Sequence, residues 1–496
     1  MTLSRRNFLK ISGAAALAVG VTPEMAALWR APTPGSAAQT VDPVLHLLNR
    51  ISYGVRPLAY EHAQQIGYEA YLDEQLNPAS LDDSATEVRL QYYPILNLDR
   101  RTGYSVSDRY GRSYRALIDG TVIRATYSER QLYERMVEFW TDHFNIAENG
   151  DYNVDLIILH RDVIRRNALG NFRDLLLGTA RSPAMLYYLD NYLNVAEHPN
   201  ENYARELLEL HTLGVDGGYT EDDVKEVARA FTGWTVHDGT DDGFIFNPDV
   251  HDFEQKMVLG HKIPAERGIE DGLHVLGVLA NHPMTARYIA YKLCVRFVSD
   301  APPDSLVESA ALQFIVNNGE ITPVLRHLFM SAEFQASAGQ KLRRPYDFFI
   351  GALRATDTEI PFWRRVEIMQ DLAQIPYGWH PPDGYPDVAG AWMSSSGLLA
   401  RWNTAMTLTH EAASEPYTAL RGHLFERIGE PTTPAELVDA VARQVFGTAL
   451  SEEASRPFLE YLTDGTDKLA LDEHMLATKT PTLFGLMLAS PLFQWR

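Results

Sequence analysis

Residues 200–214 concentrate the side chains best suited to chemistry: Asn202, Arg205, Glu206, Glu209 and His211 all fall within one helical stretch. On a helical wheel Asn202, Glu206 and Glu209 share a face, and two carboxylates with an amide are oxygen ligands suited to a divalent cation. His211 points to the opposite side, so a Glu/His zinc motif confined to this helix fails geometrically. The same stretch also reads as self-supporting, because Glu201, Arg205 and Glu209 are spaced as an i, i+4, i+8 acid–base–acid ladder. His143 follows Leu132, Met136 and Trp140 along an apolar helix face, and His211 sits among Ala204, Leu207 and Leu208. A lone histidine in such a stripe commonly serves the core. Brought to one cavity, His143, His211, His251 and Asp252 would instead form a centre able to hold a metal and activate water, with Lys256 close by in sequence.

Other familiar chemistries are missing. Gly-x-Ser-x-Gly is absent, and Ser394-Ser395-Ser396-Gly397 lacks a strand–turn–helix setting. There is no Gly-rich phosphate loop. Asp216-Gly217-Gly218-Tyr219 would put Thr212 and Gly214 where a calcium loop needs carboxylates, so it reads as an interhelical turn.

Helical periodicity dominates the elements that must carry these residues. Ser128-Glu129-Arg130-Gln131 reads as a capping box opening the His143 helix. Asn200 or Asn202 caps the next motif helix, which runs to Gly214, and Thr220 caps another ending near Gly233. Phe244-Ile245-Phe246 is the best candidate for a short hairpin. Three stretches, 175–185, 325–334 and 486–493, repeat an apolar helix end, a serine and a large apolar plug, which reads as a reused helix–helix corner. Residues 94–122, 235–268 and 376–392 read as long loops, and the last gathers Trp379 and Tyr385 ahead of Trp392 and Trp402. Aromatics so placed would stack on sugars if exposed or pin the loop if buried, and burial is the expectation. The fold expected is mostly α, a multi-helical single globular body with at most a short β-hairpin. Residues 39–496 form one helical domain with its motif core at 128–300.

Composition is globular, with 45% apolar and 22% charged residues. Cys294 is the only cysteine, which excludes an intrachain disulfide and any cysteine-based metal cluster. The net charge is −21, and residues 1–38 are themselves basic through Arg5, Arg6, Lys10 and Arg30 against Glu24. So acidic a body repels phosphate backbones, which argues against a nucleic-acid partner.

The amino terminus reads Ser4-Arg5-Arg6-Asn7-Phe8-Leu9-Lys10 and then runs apolar from Ile11 to Val21. Paired arginines before a short apolar region form the twin-arginine export pattern, and the apolar run is too short to span a bilayer. Ser36-Ala37-Ala38 offers small residues for cleavage, so residues 1–38 are expected to be the signal peptide. The mature chain carries no transmembrane anchor on this reading, and the expected location is the periplasm or beyond. The translocase is then one partner.

The combination Arg50-Ile51-Ser52-Tyr53-Gly54, Phe139-Trp140 with His143-Phe144, and the run from Asn200 through Gly214 resembles the bacterial family catalogued as domain of unknown function 1800. Gly217-Gly218-Tyr219-Thr220, Ala228 through Trp234, His251-Asp252, Lys256, Leu259-Gly260, Lys341 and Arg344-Pro345 extend the likeness from about residue 42 to the carboxyl terminus. Glu254 departs from it, standing where the family has glycine. The resemblance implies a large, helical, exported protein without an assigned activity. It further implies a partner among exported sulfatase-like proteins, those of domain of unknown function 1501. Two functions follow as expectations. The first is a partner or assembly role for an envelope enzyme or polymer. The second is a metal-dependent hydrolase using the His/Glu/Asp residues above, with a divalent metal as its cofactor.

Overall fold

A computed structural model describes residues 42–98, 107–148, 154–237, 243–413, 427–466, 471 and 473–496. The expected signal cleavage after Ala38 therefore lies outside the described residues. The fold is mostly α, as the periodicity predicts. Its β structure among the described residues is two antiparallel strand pairs, Trp234–Val236 with Phe244–Phe246 and Lys256–Val258 with His261–Ile263. The first contains the expected Phe244-Ile245-Phe246 strand; the second follows from a tight turn at Leu259 and Gly260, both at positive φ. Among the described residues no helix is long and apolar enough to cross a membrane.

The chain forms two compact units. One runs through Tyr71 and resumes over Ser337–Gln374 and Val388–Arg496; the other is Leu72–Ala336 with Ile375–Asp387. In the first unit, Pro345–Thr356 and Ser395–Ala413 pack with Pro434–Phe446 and Glu473–Ala489 around Phe348, Phe349, Leu408, Leu437, Phe484 and Met487. The Arg50–Gly54 motif is structural here. Arg343 donates to the carbonyls of Tyr53 at 2.7 Å and Phe493 at 2.8 Å. A Cβ on Gly54 would come within 3.1 Å of Gly351 Cα, so two backbones meet at this pair.

The second unit holds every candidate site residue. Its core gathers Trp140, Phe144, Phe172, Leu207, Phe231, Trp234, Ile289, Leu293, Phe297 and Phe329. Leu132, Met136, Trp140 and His143 are all buried along one face of the Gln131–His143 helix, as their spacing predicts. Trp140 Nε1 donates to the carbonyl of Ala168 at 3.0 Å, so the indole is both packed and satisfied.

Local expectations met mixed outcomes. Asn200 caps Glu201–Glu206 by accepting from Asn202 N, and Thr220 forms a full capping box with Asp223. The Ser128 box does not form. Ser128 Oγ donates to Asp83 at 2.9 Å, Asp83 also accepts from Glu129 N, and Gln131 turns back to the carbonyl of Ser128. A carboxylate 45 residues upstream thus takes the capping role. The 94–122 stretch is not all loop, since Arg109–Tyr127 is helical. The three repeated corners are helix–serine–helix, at Phe172–Ala180, Ile321–Phe329 and Glu473–Ala489. Only Ser331 caps with its side chain; Ser182 bonds His160, and Ser490 bonds the carbonyl of Met487.

Candidate functional site

His143 ends its helix with both ring nitrogens engaged. Nε2 lies 3.0 Å from the carbonyl of His211, and Nδ1 lies 3.0 Å from Nζ of Lys292. A carbonyl oxygen only accepts, so Nε2 carries the proton, and Nδ1 presents its lone pair to the lysine. Burial holds the His143 ring well below the usual histidine range, reinforced by Lys292 and His211. Burial also pushes the Lys292 ammonium down to about 8, against the pull of Asp142, Asp387 and Asp383. The result is a neutral imidazole holding an amine that titrates close to neutrality.

The His211 carbonyl is free to accept because its helix widens and stops. From Leu207 to Thr212 the turns are π, with Leu213 N donating to Leu208 O at 2.9 Å and Thr212 Oγ1 to Leu207 O at 2.6 Å. Such turns recur at functional sites because they redirect side chains. Gly214 then reverses the chain at φ 84°, and a Cβ there would stand 2.9 Å from the Tyr288 ring. Glycine thus lets Tyr288 close over the end of the turn. Tyr288, Lys292 and Arg296 are spaced i, i+4, i+8 on the Pro283–Phe297 helix, so one stripe supplies the phenol, the amine and a guanidinium.

Carboxylates act on the neighbouring tyrosines, Glu206 and Asp383 on Tyr188, Glu209 and Asp383 on Tyr288. Burial raises the Glu206 carboxyl, Glu209 and Asp383 add to that, and Arg205 opposes it. Burial raises the phenols of Tyr188 and Tyr288 to about 12, with Asp383 contributing to both, so each remains a hydrogen-bond donor at neutral pH. Asp383 arrives on residues 375–387, which are strapped to this unit at several points. Asn145 Nδ2 donates to the carbonyls of Trp379 at 2.8 Å and Pro381 at 2.7 Å, and Glu148 N donates to Tyr377 O at 2.7 Å. Tyr188 donates to His380 O, and Trp379 Nε1 donates to Asp383 at 2.8 Å. Gly384, at φ 74°, lies so close to the Asp142 carbonyl that a Cβ would sit 2.0 Å from it. Tyr385 is buried and Trp379 half-buried, so in this loop the aromatics pin the segment, as expected.

The candidate residues divide into two neighbourhoods. His143, Glu206, Glu209 and His211 belong to the first. Arg205 and Asn202 flank it with other tasks: Arg205 grips Glu221 through two 2.8 Å bonds and Glu201 at 3.1 Å, while Asn202 faces Asp190. The expected ladder therefore stops at Arg205, because the π turn removes Glu209 from the α-helical spacing. His251, Asp252 and Lys256 belong to the second. There His251 Nδ1 bonds the Thr232 carbonyl at 2.7 Å, and Arg229 grips Asp252 at 2.6 and 3.2 Å. Lys256 Nζ meets buried Asp271 at 2.8 Å, and His251 Nε2 stands 3.4 Å from the same carboxylate. Burial works to raise the Asp271 carboxyl, and its bonds to His251 and Lys256 outweigh it. This network fastens residues 251–263 to the Glu221–Ala230 and Glu270–Ala280 helices. Glu254 has negative φ and accepts no strain in replacing glycine; its N–H closes a turn onto Asp252 at 2.9 Å.

The expected meeting of His143 and His211 with His251 and Asp252 as metal ligands is thus replaced by two separately partnered groups. Among the described residues no three His, Cys, Asp or Glu side chains are arranged to hold a metal ion. Lys292, Asp383, Tyr188, Tyr288 and His160 escaped the reading of the sequence. A signal for Lys292 was present, since it stands between Tyr288 and Arg296 on a polar stripe of a helix whose neighbouring residues Ile289, Leu293 and Cys294 are buried.

The motifs at 50–54, 139–144 and 200–234 all fall in a stretch matched by one family model, described as "Protein of unknown function (DUF1800)" and covering residues 46–495. The chain belongs to this DUF1800 family. A second model, the twin-arginine translocation pathway signal sequence, matches residues 2–22, so this DUF1800 protein is exported to the periplasm or beyond. No curated protein and no solved structure matches it.

Proposed function

We propose that this exported protein is an enzyme of hydrolytic type whose acid–base centre is formed by Lys292 on His143 opposite Glu206. The observation that carries the reading is the 3.0 Å contact of Lys292 Nζ with an imidazole nitrogen that can only accept. A base working near neutrality needs a proton affinity close to ambient pH, and an acid needs a carboxyl that keeps its proton longer than usual. Lys292, pushed down to about 8, fits the first task, and Glu206, pushed up, fits the second. Lys292 takes a proton from an attacking water or hydroxyl; Glu206 returns one to the leaving group. The hydroxyl of Tyr288 supplies a donor to a polar substrate.

A metal-dependent form of this enzyme has less support, because His251 and Asp252 are engaged with Thr232, Asp271 and Arg229. The partner role in the envelope remains a second reading. Leu312, Ile315 and Val316 stand exposed at i, i+3, i+4 on the Asp304–Val316 helix, an apolar face suited to a protein such as the sulfatase-like one.

The enzyme reading is tested with mature protein against chromogenic esters and glycosides. Turnover that falls by about a hundredfold or more in both Lys292→Met and Glu206→Gln supports it. Turnover unchanged in either variant overturns it.

A further inference from the structure

A second cluster of charge lies in the interior of the same unit, where Arg109–Tyr127 packs on Val154–Asn167. Arg124 comes from the first helix, Arg161 and Arg165 from the second. Three carboxylates answer the three guanidinium groups, Glu134, Asp162 and exposed Glu87, and the first two are already taken. Arg165 grips buried Glu134 through two 2.7 Å bonds, and Arg161 uses Nε at 2.9 Å, together with Nη2, on neighbouring Asp162. Arg161 Nη2 also reaches the Leu96 carbonyl at 3.2 Å, which leaves Nη1 buried without a hydrogen-bond partner. Arg161 is only 4% exposed and Arg124 9%.

The Arg124 guanidinium makes no hydrogen bond to any described residue. Its guanidinium lies over Gly120, where a Cβ would meet Arg124 Nη1 at 3.4 Å and Leu96 Cδ1 at 2.7 Å. A glycine inside a helix costs about 1 kcal/mol relative to alanine, and here it makes the room that the Leu96 and Arg124 side chains occupy. Burial lowers the Arg124 guanidinium to about 10, with Arg165 and Arg161 adding to that, while Glu134 and exposed Glu87 oppose it. A buried guanidinium is unfavourable unless its charge and donors are paired, and a bound anion would pair both. Guanidinium forks match the paired oxygens of phosphate and sulfate groups.

We propose that Arg124 and Arg161 form a binding site for a tetrahedral oxyanion, a phosphate or sulfate group. The ligand lies on the edge of Arg124 and takes the unused Nη1 proton of Arg161. Arg165 contributes field only, since Glu134 occupies its fork. This site is separate from the Lys292 centre and does not depend on it.

The test uses the mature protein with inorganic phosphate, inorganic sulfate and phenyl phosphate, against sodium chloride at matched ionic strength. Equilibrium dialysis is expected to give saturable binding of one anion per chain, with a matching rise in Tm. Arg124→Gln and Arg161→Gln should each weaken binding by about tenfold or more, and Arg124→Lys by less. A preference for phenyl phosphate identifies a monoester as the ligand class; equal binding of all three identifies the free oxyanion. Wild-type protein that binds none of them above the chloride control overturns the proposal, and that arm needs no variant to fold. Unchanged affinity in a folded Arg124→Gln protein overturns it equally.

Discussion

Lys292 Nζ stands 3.0 Å from His143 Nδ1, although 149 residues separate them in the chain. The relationship joins the last residue of one helix to the middle of another. Burial lowers both groups, and the contact adds to the lowering of the imidazole. The first prediction concerns this amine. Acetylation of the folded protein, followed by peptide mass spectrometry across a pH series, should show Lys292 half-reactive near pH 8. Lys225 and Lys262, both exposed on the surface, serve as controls for the reagent in the same samples. A Lys292 profile that coincides with theirs contradicts the electrostatic account of the site.

Three buried histidines should make the protein sensitive to mild acid. Burial lowers His143, His160 and His211, the last two to about 4 and about 3. In the unfolded chain they protonate near pH 6.5, so the unfolded state binds protons first as pH falls. Stability is therefore fully present above about pH 6.5 and is lost progressively down to about pH 4 and below. Each unit of depression is worth about 1.4 kcal/mol. Urea titrations at pH 7 and 5 should show the loss, and His160→Gln, which keeps a donor for the Phe144 carbonyl, should flatten it.

Gly384→Ala should release the 375–387 segment. The added methyl would collide with the Asp142 backbone, which has no side-chain freedom with which to yield, and the positive φ adds strain. A cost of about 2–4 kcal/mol is expected, with faster proteolysis between Tyr377 and Asp387. An unchanged cleavage pattern would mean the strap is not held as described.

Lys256→Met should be severely destabilising for a different reason. It leaves Asp271 buried with only the longer His251 approach at 3.4 Å, and breaking such a pair typically costs about 3–5 kcal/mol. Lys292→Met removes a cation that already resists burial, so it should cost much less. Comparing the two by urea denaturation separates the structural neighbourhood from the chemical one.

Export should depend on Arg5 and Arg6. Replacing both with lysine should leave the precursor in the cytoplasm, as followed by fractionation of a tagged copy. Normal periplasmic yield would remove the twin-arginine route.

Local rules carried much of this molecule. The apolar face through Leu132, Met136, Trp140 and His143, the Asn200 and Thr220 caps, and the Phe244–Phe246 strand all follow from spacing within a few residues. What spacing could not reveal came from distant competitors. Asp83 displaced Gln131 from the expected Ser128 box, and no local pattern marks residue 83 as its rival. The π turn at Leu207–Thr212 broke the Glu201–Arg205–Glu209 ladder, because wheel angles assume a constant pitch. His251 and Asp252 looked like ligands by type, and only the positions of Asp271 and Arg229 assign them to the scaffold. Asp383 lay in a segment chosen for its aromatics, while its value depends on the tyrosines it faces.

Cys294 is buried on the Pro283–Phe297 helix and its thiol is raised to about 12 by its surroundings. The chain thus carries no reactive sulfur across the boundary between a reducing and an oxidising compartment. No oxidase has to finish the molecule on arrival, and no mispaired crosslink can form within it. The sulfur chemistry of the passenger is indifferent to the change of redox setting that its journey entails.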